Sequence, residues 1–294
     1  MTTKPSDPNN LNQLLITASA NGDPAEVARL LALGANPEKP PGQIGALGAA
    51  ASSHVFGSGP AKCLEILIPL CDPNAADPED GWTALMFAAN GVDPAKVELL
   101  APASDASLRN SDGETALMIA AAIASPRMLQ ALLAQPGAAE SARGCRDAEG
   151  RDALMIASQA FVDPDGHWAN SGQSAPKCIA MLLSGADLAA VDSEGFTALG
   201  GFLRRVGFAS MASLSMRGIR ALAMAEALCS QIDPRAPCEP SGLSALDYAI
   251  ARADRCPEEI RRFLEQRCRM LNEVDALDLS SAQGTSAQKK RRSI

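Results

Sequence analysis

The sequence predicts an all-α solenoid of about seven stacked helix pairs with no β-sheet core. Three observations predict it. A ten-residue phrase recurs as "DGWTALMFAA" at 80–89, "DGETALMIAA" at 112–121 and "EGRDALMIAS" at 149–158. A glycine and a helix-capping residue keep one register against that phrase. Its apolar letters fall at i, i+3 and i+4, the spacing of one helix face.

Alignment on the Leu of the Ala-Leu step gives Leu15, Leu47, Leu85, Leu117, Leu154, Leu199 and Leu246, with spacings of 32, 38, 32, 37, 45 and 47. Just ahead of that step stand Gly81, Gly113, Gly150, Gly195 and Gly242, as a turn with positive φ requires. Directly before it come Thr83, Thr115, Asp152, Thr197 and Ser244. Each can accept a bond from the orphan N–H groups of a first helical turn. Leu85, Ala88 and Ala89 then repeat as Leu117, Ala120 and Ala121, and the alanines let neighbouring helices approach closely. Second helices are signalled by Asp23-Pro24, Asp93-Pro94 and Ser125-Pro126, the preferred order of cap and first residue. Gly59-Pro60, Ala175-Pro176 and Cys256-Pro257 keep the proline with a weaker cap. "LLALGAN" (30–36) and "MLLSGAD" (181–187) end such helices on Gly.

A period near 33 carrying T-x-L-x-x-A resembles the ankyrin repeat, a β-turn followed by two antiparallel helices. The resemblance covers 11–272 and is strongest over 77–136 and 192–199. It leaves a short N-terminal extension at 1–10 and a polar tail at 273–294. The family's T-P-L-H becomes T-A-L-M, a bacterial-type variant. Met86, Met118 and Met155 stand where His would bond between repeats, and the expectation is an apolar core stack. No copy can bury its apolar face alone, so stacking copies makes one continuous core.

The letters that change carry individuality. The residue after each turn glycine is Trp82, Glu114, Arg151, Phe196 or Leu243. The resemblance implies that this position lines a concave partner-binding face. Asp80, Asp112, Glu149 and Glu194 (with Glu79) flank it as an acidic row suited to a basic partner; folding back of Trp82 and Phe196 onto their own repeats is the competing reading. Insertions near 52–60, 161–176 and 204–218 are the second source, the last holding Arg204, Arg205, Arg217 and Arg220.

Composition narrows the function classes. Among 294 residues, 47% are hydrophobic and only 3% aromatic, which suits thin, closely packed helices. No apolar run reaches the roughly 18 residues of a membrane helix, and the first 15 residues lack the features of a signal peptide, so a cytoplasmic location is expected. The formal charge is −8; without the four basic residues of "KKRRSI", 22 basic groups face 34 acidic ones, a net of −12. An acidic body repels nucleic acid, leaving only the tail as a contact for it. The tail "SSAQGTSAQKKRRSI" reads as disordered. The eight cysteines contain no C-x-x-C pair, and Cys63 and Cys178 occupy the place of Val27, so they read as small core residues. Asp163, Asp165 and His167 lack a fourth ligand and the calcium-loop spacing. No metal or cofactor is expected.

No phosphate loop or nucleophile elbow is present, and the two histidines have no identifiable orienting carboxylate. A non-catalytic protein-binding module, monomeric, is therefore expected. Three versions stay open: an adaptor or inhibitor, an immunity protein against a basic toxin, and an effector delivered into a host cell. The 19 Arg against 7 Lys point to a GC-rich genome and so to a bacterium.

Overall fold

The computed structural model describes residues 8–38, 45–55, 57–91, 93–135, 144–160, 174–208 and 214–291. Among them, α-helices form seven pairs. They are Pro8–Ala20 with Pro24–Ala32, Ala46–Ser52 with Gly59–Leu67, Ala84–Ala89 with Pro94–Leu100, and Ala116–Ile123 with Pro126–Leu133. Ala153–Ala160 with Ala175–Leu183, Ala198–Phe208 with Leu214–Leu228, and Ala245–Ala251 with Glu258–Arg291 follow. Each first helix packs on its own second helix and on the first helix of the next pair; the second helices follow one another in the same way. The extended pairings among the described residues are two isolated bridges, Ala76 with Thr83 and Pro237 with Ser244. No described helix is long and apolar enough to cross a membrane.

The helix starts arise from local chemistry. Thr83 and Thr115 accept from the N–H of Met86 and Met118 at 3.3 and 3.4 Å, and Asp152 from Met155 at 2.8 Å. Thr197 and Ser244 accept from Gly200 and Asp247 at 3.3 and 3.2 Å. All five expected caps are made. Among the second helices, Asp23 and Asp93 cap through their carboxylates. Ser125 does not, although its backbone has the extended form of a cap.

The expected core is also the observed one. Ala88, Ala89, Ala120 and Ala121 are fully buried, and so are Met86, Met118 and Met155. Six of the seven aligned leucines are buried. Leu246 is only half-buried. Cys63 and Cys178 are buried free thiols, with desolvation pushing them up to about 11 and about 12. They are neutral at physiological pH and pack as apolar groups. Cys63→Val and Cys178→Val should each change the stability measured by urea unfolding by less than about 1.5 kcal/mol.

One buried charge is invisible to the repeat pattern. Lys96, in the second helix of the third pair, is 2% exposed. Its ammonium donates to the carbonyl of Ala51 at 3.2 Å and to that of Ser53. Those oxygens close the C-terminal end of helix Ala46–Ser52, where a cation is favoured. Burial nonetheless lowers the Lys96 pKa from its ordinary 10.5. The folded value is then below the unfolded one, so proton loss favours the fold. Relative to Lys96→Met, the protein should gain stability as pH rises through the folded pKa toward 10.5. Paired urea titrations at neutral and alkaline pH would show an equal difference at both if Lys96 were not desolvated.

The second helix of the seventh pair runs from Glu258 to Arg291. Ile260, Leu264 and Cys268 are buried and anchor its first half; extending an existing helix then avoids the cost of nucleation. Arg235 adds bonds to Asn272 at 2.9 Å and Asp275 at 2.6 Å.

Candidate partner-binding face

The face is built from the turns that precede each first helix. Gly81, Gly113, Gly150, Gly195 and Gly242 all have positive φ, between 75° and 85°, which any residue with a Cβ adopts at a cost. Asn110, Asp147 and Asp192, three residues ahead of their glycines, close the turns through their side chains. Each accepts from the residue after the glycine: Glu114 at 2.8 Å, Arg151 at 2.7 Å and Phe196 at 2.9 Å. This Asx spacing stands in the sequence but lies outside the pattern of glycines and caps. Successive turns are then strung together by backbone bonds of 2.8 Å each, from Ser111 to Asp80, Ala148 to Asp112 and Ser193 to Glu149.

That ladder places Trp82, Glu114, Arg151 and Phe196 at equivalent points of successive turns. Leu243 lies beyond a break. Pro240 occupies the position of Ser111, Ala148 and Ser193 and has no N–H to donate. The sixth and seventh pairs are joined instead by Thr197, whose N–H and hydroxyl both donate to the Cys238 carbonyl, at 3.1 and 3.4 Å.

The side chains at the shared register have different surroundings. Trp82 is half-buried, its ring centroid 5.2 Å from that of Phe87 in its own repeat. Both rings line a cleft of about 340 Å³ together with Glu38, Cys71, Asp72 and Asp77. Glu114 accepts from the Asn110 amide at 2.9 Å. Arg151 is held by buried Asp147 at 2.7 Å and by Glu149 at 3.1 Å. Phe196 meets the edge of Tyr248 at 6.3 Å, and the Arg204 guanidinium lies 5.0 Å above its ring. Leu243 is 37% exposed.

The acidic row is partly neutralised within the chain. Glu149 pairs with Arg151 and Glu194 with Arg204; Asp80 accepts from the Trp82 N–H at 3.0 Å. Asp112 is exposed and supplies its backbone carbonyl to the ladder. One cap in the row is itself ion-paired: Asp152 meets Arg146 at 2.8 Å. Burial still pushes its carboxyl up, against the bonds from Met155 and Arg146.

Of the insertions, 52–60 meets the first pair at Ser53, whose hydroxyl donates to the Ala20 carbonyl at 2.6 Å. Residues 161–173, with Asp163, Asp165 and His167, lie outside the described residues, as do 209–213 and the side chains of Arg217 and Arg220. Comparison with known families matches residues 47–140 to a model described as ankyrin repeats in three copies. No curated protein matches the chain.

Proposed function

We propose that this chain, whose residues 47–140 match ankyrin repeats, is a monomeric, non-catalytic module that binds and modulates a protein partner through its turn face. Ankyrin repeats are generally protein-interaction scaffolds. The observation that carries the reading is the cleft beside Trp82. An aromatic pair gives it an apolar wall that also attracts cations. Glu38, Asp72 and Asp77 stand around it, and none forms an ion pair with a described residue. A basic segment of a partner, seated at this cleft and running along Asp112, Glu149 and Glu194, fits that chemistry.

The test begins with the partner recovered by affinity capture and mass spectrometry. Trp82→Ala should then weaken binding by about 2 kcal/mol or more, with the melting temperature little changed, because the Thr83 cap and Leu85 core position are kept. Charge reversal at Glu149 and Glu194 should slow association chiefly at low salt. If Trp82→Ala melts normally and binds unchanged, recognition belongs to the insertions and not to the turns.

A further inference from the structure

The last two pairs hold a local cluster of arginines. Arg204, Arg252 and Arg255 line a small cavity with Tyr248, Leu203 and Cys256. Its volume of about 10 Å³ is room for a single oxygen-sized atom. Tyr248 is the chain's single tyrosine and is 3% exposed. Its hydroxyl is buried and has no hydrogen-bond partner among the described residues. Such a group is costly to leave unpaired, so the site lacks an acceptor.

The surroundings specify the charge of that acceptor. The Arg252 guanidinium lies 4.8 Å above the Tyr248 ring. Arg252 is exposed and forms no ion pair with a described residue. Arg204 is shared between Glu194 and the Phe196 ring, and Arg255 reaches Asp254 at 3.6 Å. Arg204 and Arg252 both favour the ionised form of the Tyr248 hydroxyl, although burial holds its pKa up; their positive charge is felt at that oxygen. A water molecule would satisfy the hydroxyl alone, whereas an anionic oxygen would also pair with Arg252, whose charge is otherwise met by solvent.

We propose that this cavity receives one oxygen of an oxyanion, a carboxylate or phosphoryl group held at its mouth, and that this oxygen accepts from Tyr248 Oη while the group pairs with Arg252. Rotation of the exposed Arg252 side chain off the ring opens the way to the hydroxyl. The site is separate from the Trp82 cleft and stands or falls independently of it.

A single tyrosine gives the test a single reporter. The full chain, with ring-¹³C tyrosine, is titrated with inorganic phosphate and with acetate while chloride keeps the ionic strength constant. The Tyr248 signal should shift saturably, and Arg252→Gln should weaken that response about tenfold or more. Exposed Arg205 does not line the cavity, so Arg205→Gln should leave it unchanged. Tighter saturation by phosphate assigns a phosphoryl ligand, and tighter saturation by acetate a carboxylate. A shift that never saturates, an Arg252→Gln response equal to wild type, or an equal loss in Arg205→Gln overturns the proposal.

Discussion

Gly200→Ala is expected to destabilise the protein by about 3 kcal/mol and to loosen the last helix pair, although Ala is the better helix former. Gly200 lies in helix Ala198–Phe208, so helix propensity alone predicts a gain near 1 kcal/mol. A Cβ there would fall on the Cys238 carbonyl oxygen and 2.9 Å from its carbon. The obstacle is backbone, and it is held on both sides. Thr197 donates to that carbonyl twice, and the Cys238 N–H donates to Leu243 at 2.9 Å. Nothing flexible can yield, so the seventh pair must move away. Urea unfolding would give the cost. Hydrogen exchange should show protection lost over 245–268 and retained in the third to fifth pairs. A Gly200→Ala variant as stable as wild type would mean that the two segments are not in this close contact.

Met118→Ala should cost about 2–5 kcal/mol, the range for emptying a buried site of this size. Met118 is fully buried, as are the equivalent Met86 and Met155 on the neighbouring first helices that pack against its own. Its backbone N–H keeps the Thr115 cap, so the loss reports the side chain alone. Met118→Leu conserves volume and should cost under about 1.5 kcal/mol. Were the methionines a soft binding surface, Met118→Ala would change affinity and leave the urea midpoint in place.

What could be read from the amino-acid order was what a few neighbouring residues settle among themselves. A cap such as Thr83 bonds three residues ahead, and a turn glycine needs only its own φ, so five caps and five glycines were legible. The buried stripe of Leu85, Ala88 and Ala89 was legible for the same reason: helix geometry places those letters on one face wherever the helix goes. Asn110, Asp147 and Asp192 are equally local, and are hidden only because the glycine and the cap dominate the alignment. Pro240 belongs with them, since its missing N–H follows once the turns are superposed.

The rest depended on approach between segments distant in the chain. Lys96 reaches carbonyls at 51 and 53, Gly200 meets Cys238, and Trp82 forms its cleft with residues as far back as Pro37. The register of Trp82, Glu114, Arg151 and Phe196 was written in the sequence, but their surroundings were not. Arg151 is drawn to a buried Asp147 and Phe196 to Tyr248 of the following pair. The sequence by itself thus determined the helices, their caps and the stacked core, because those need only neighbours within one turn of chain. The tertiary structure decided which displayed side chains are paired or packed and which stay exposed, because charge pairing and ring packing depend on distances that only the assembled stack sets.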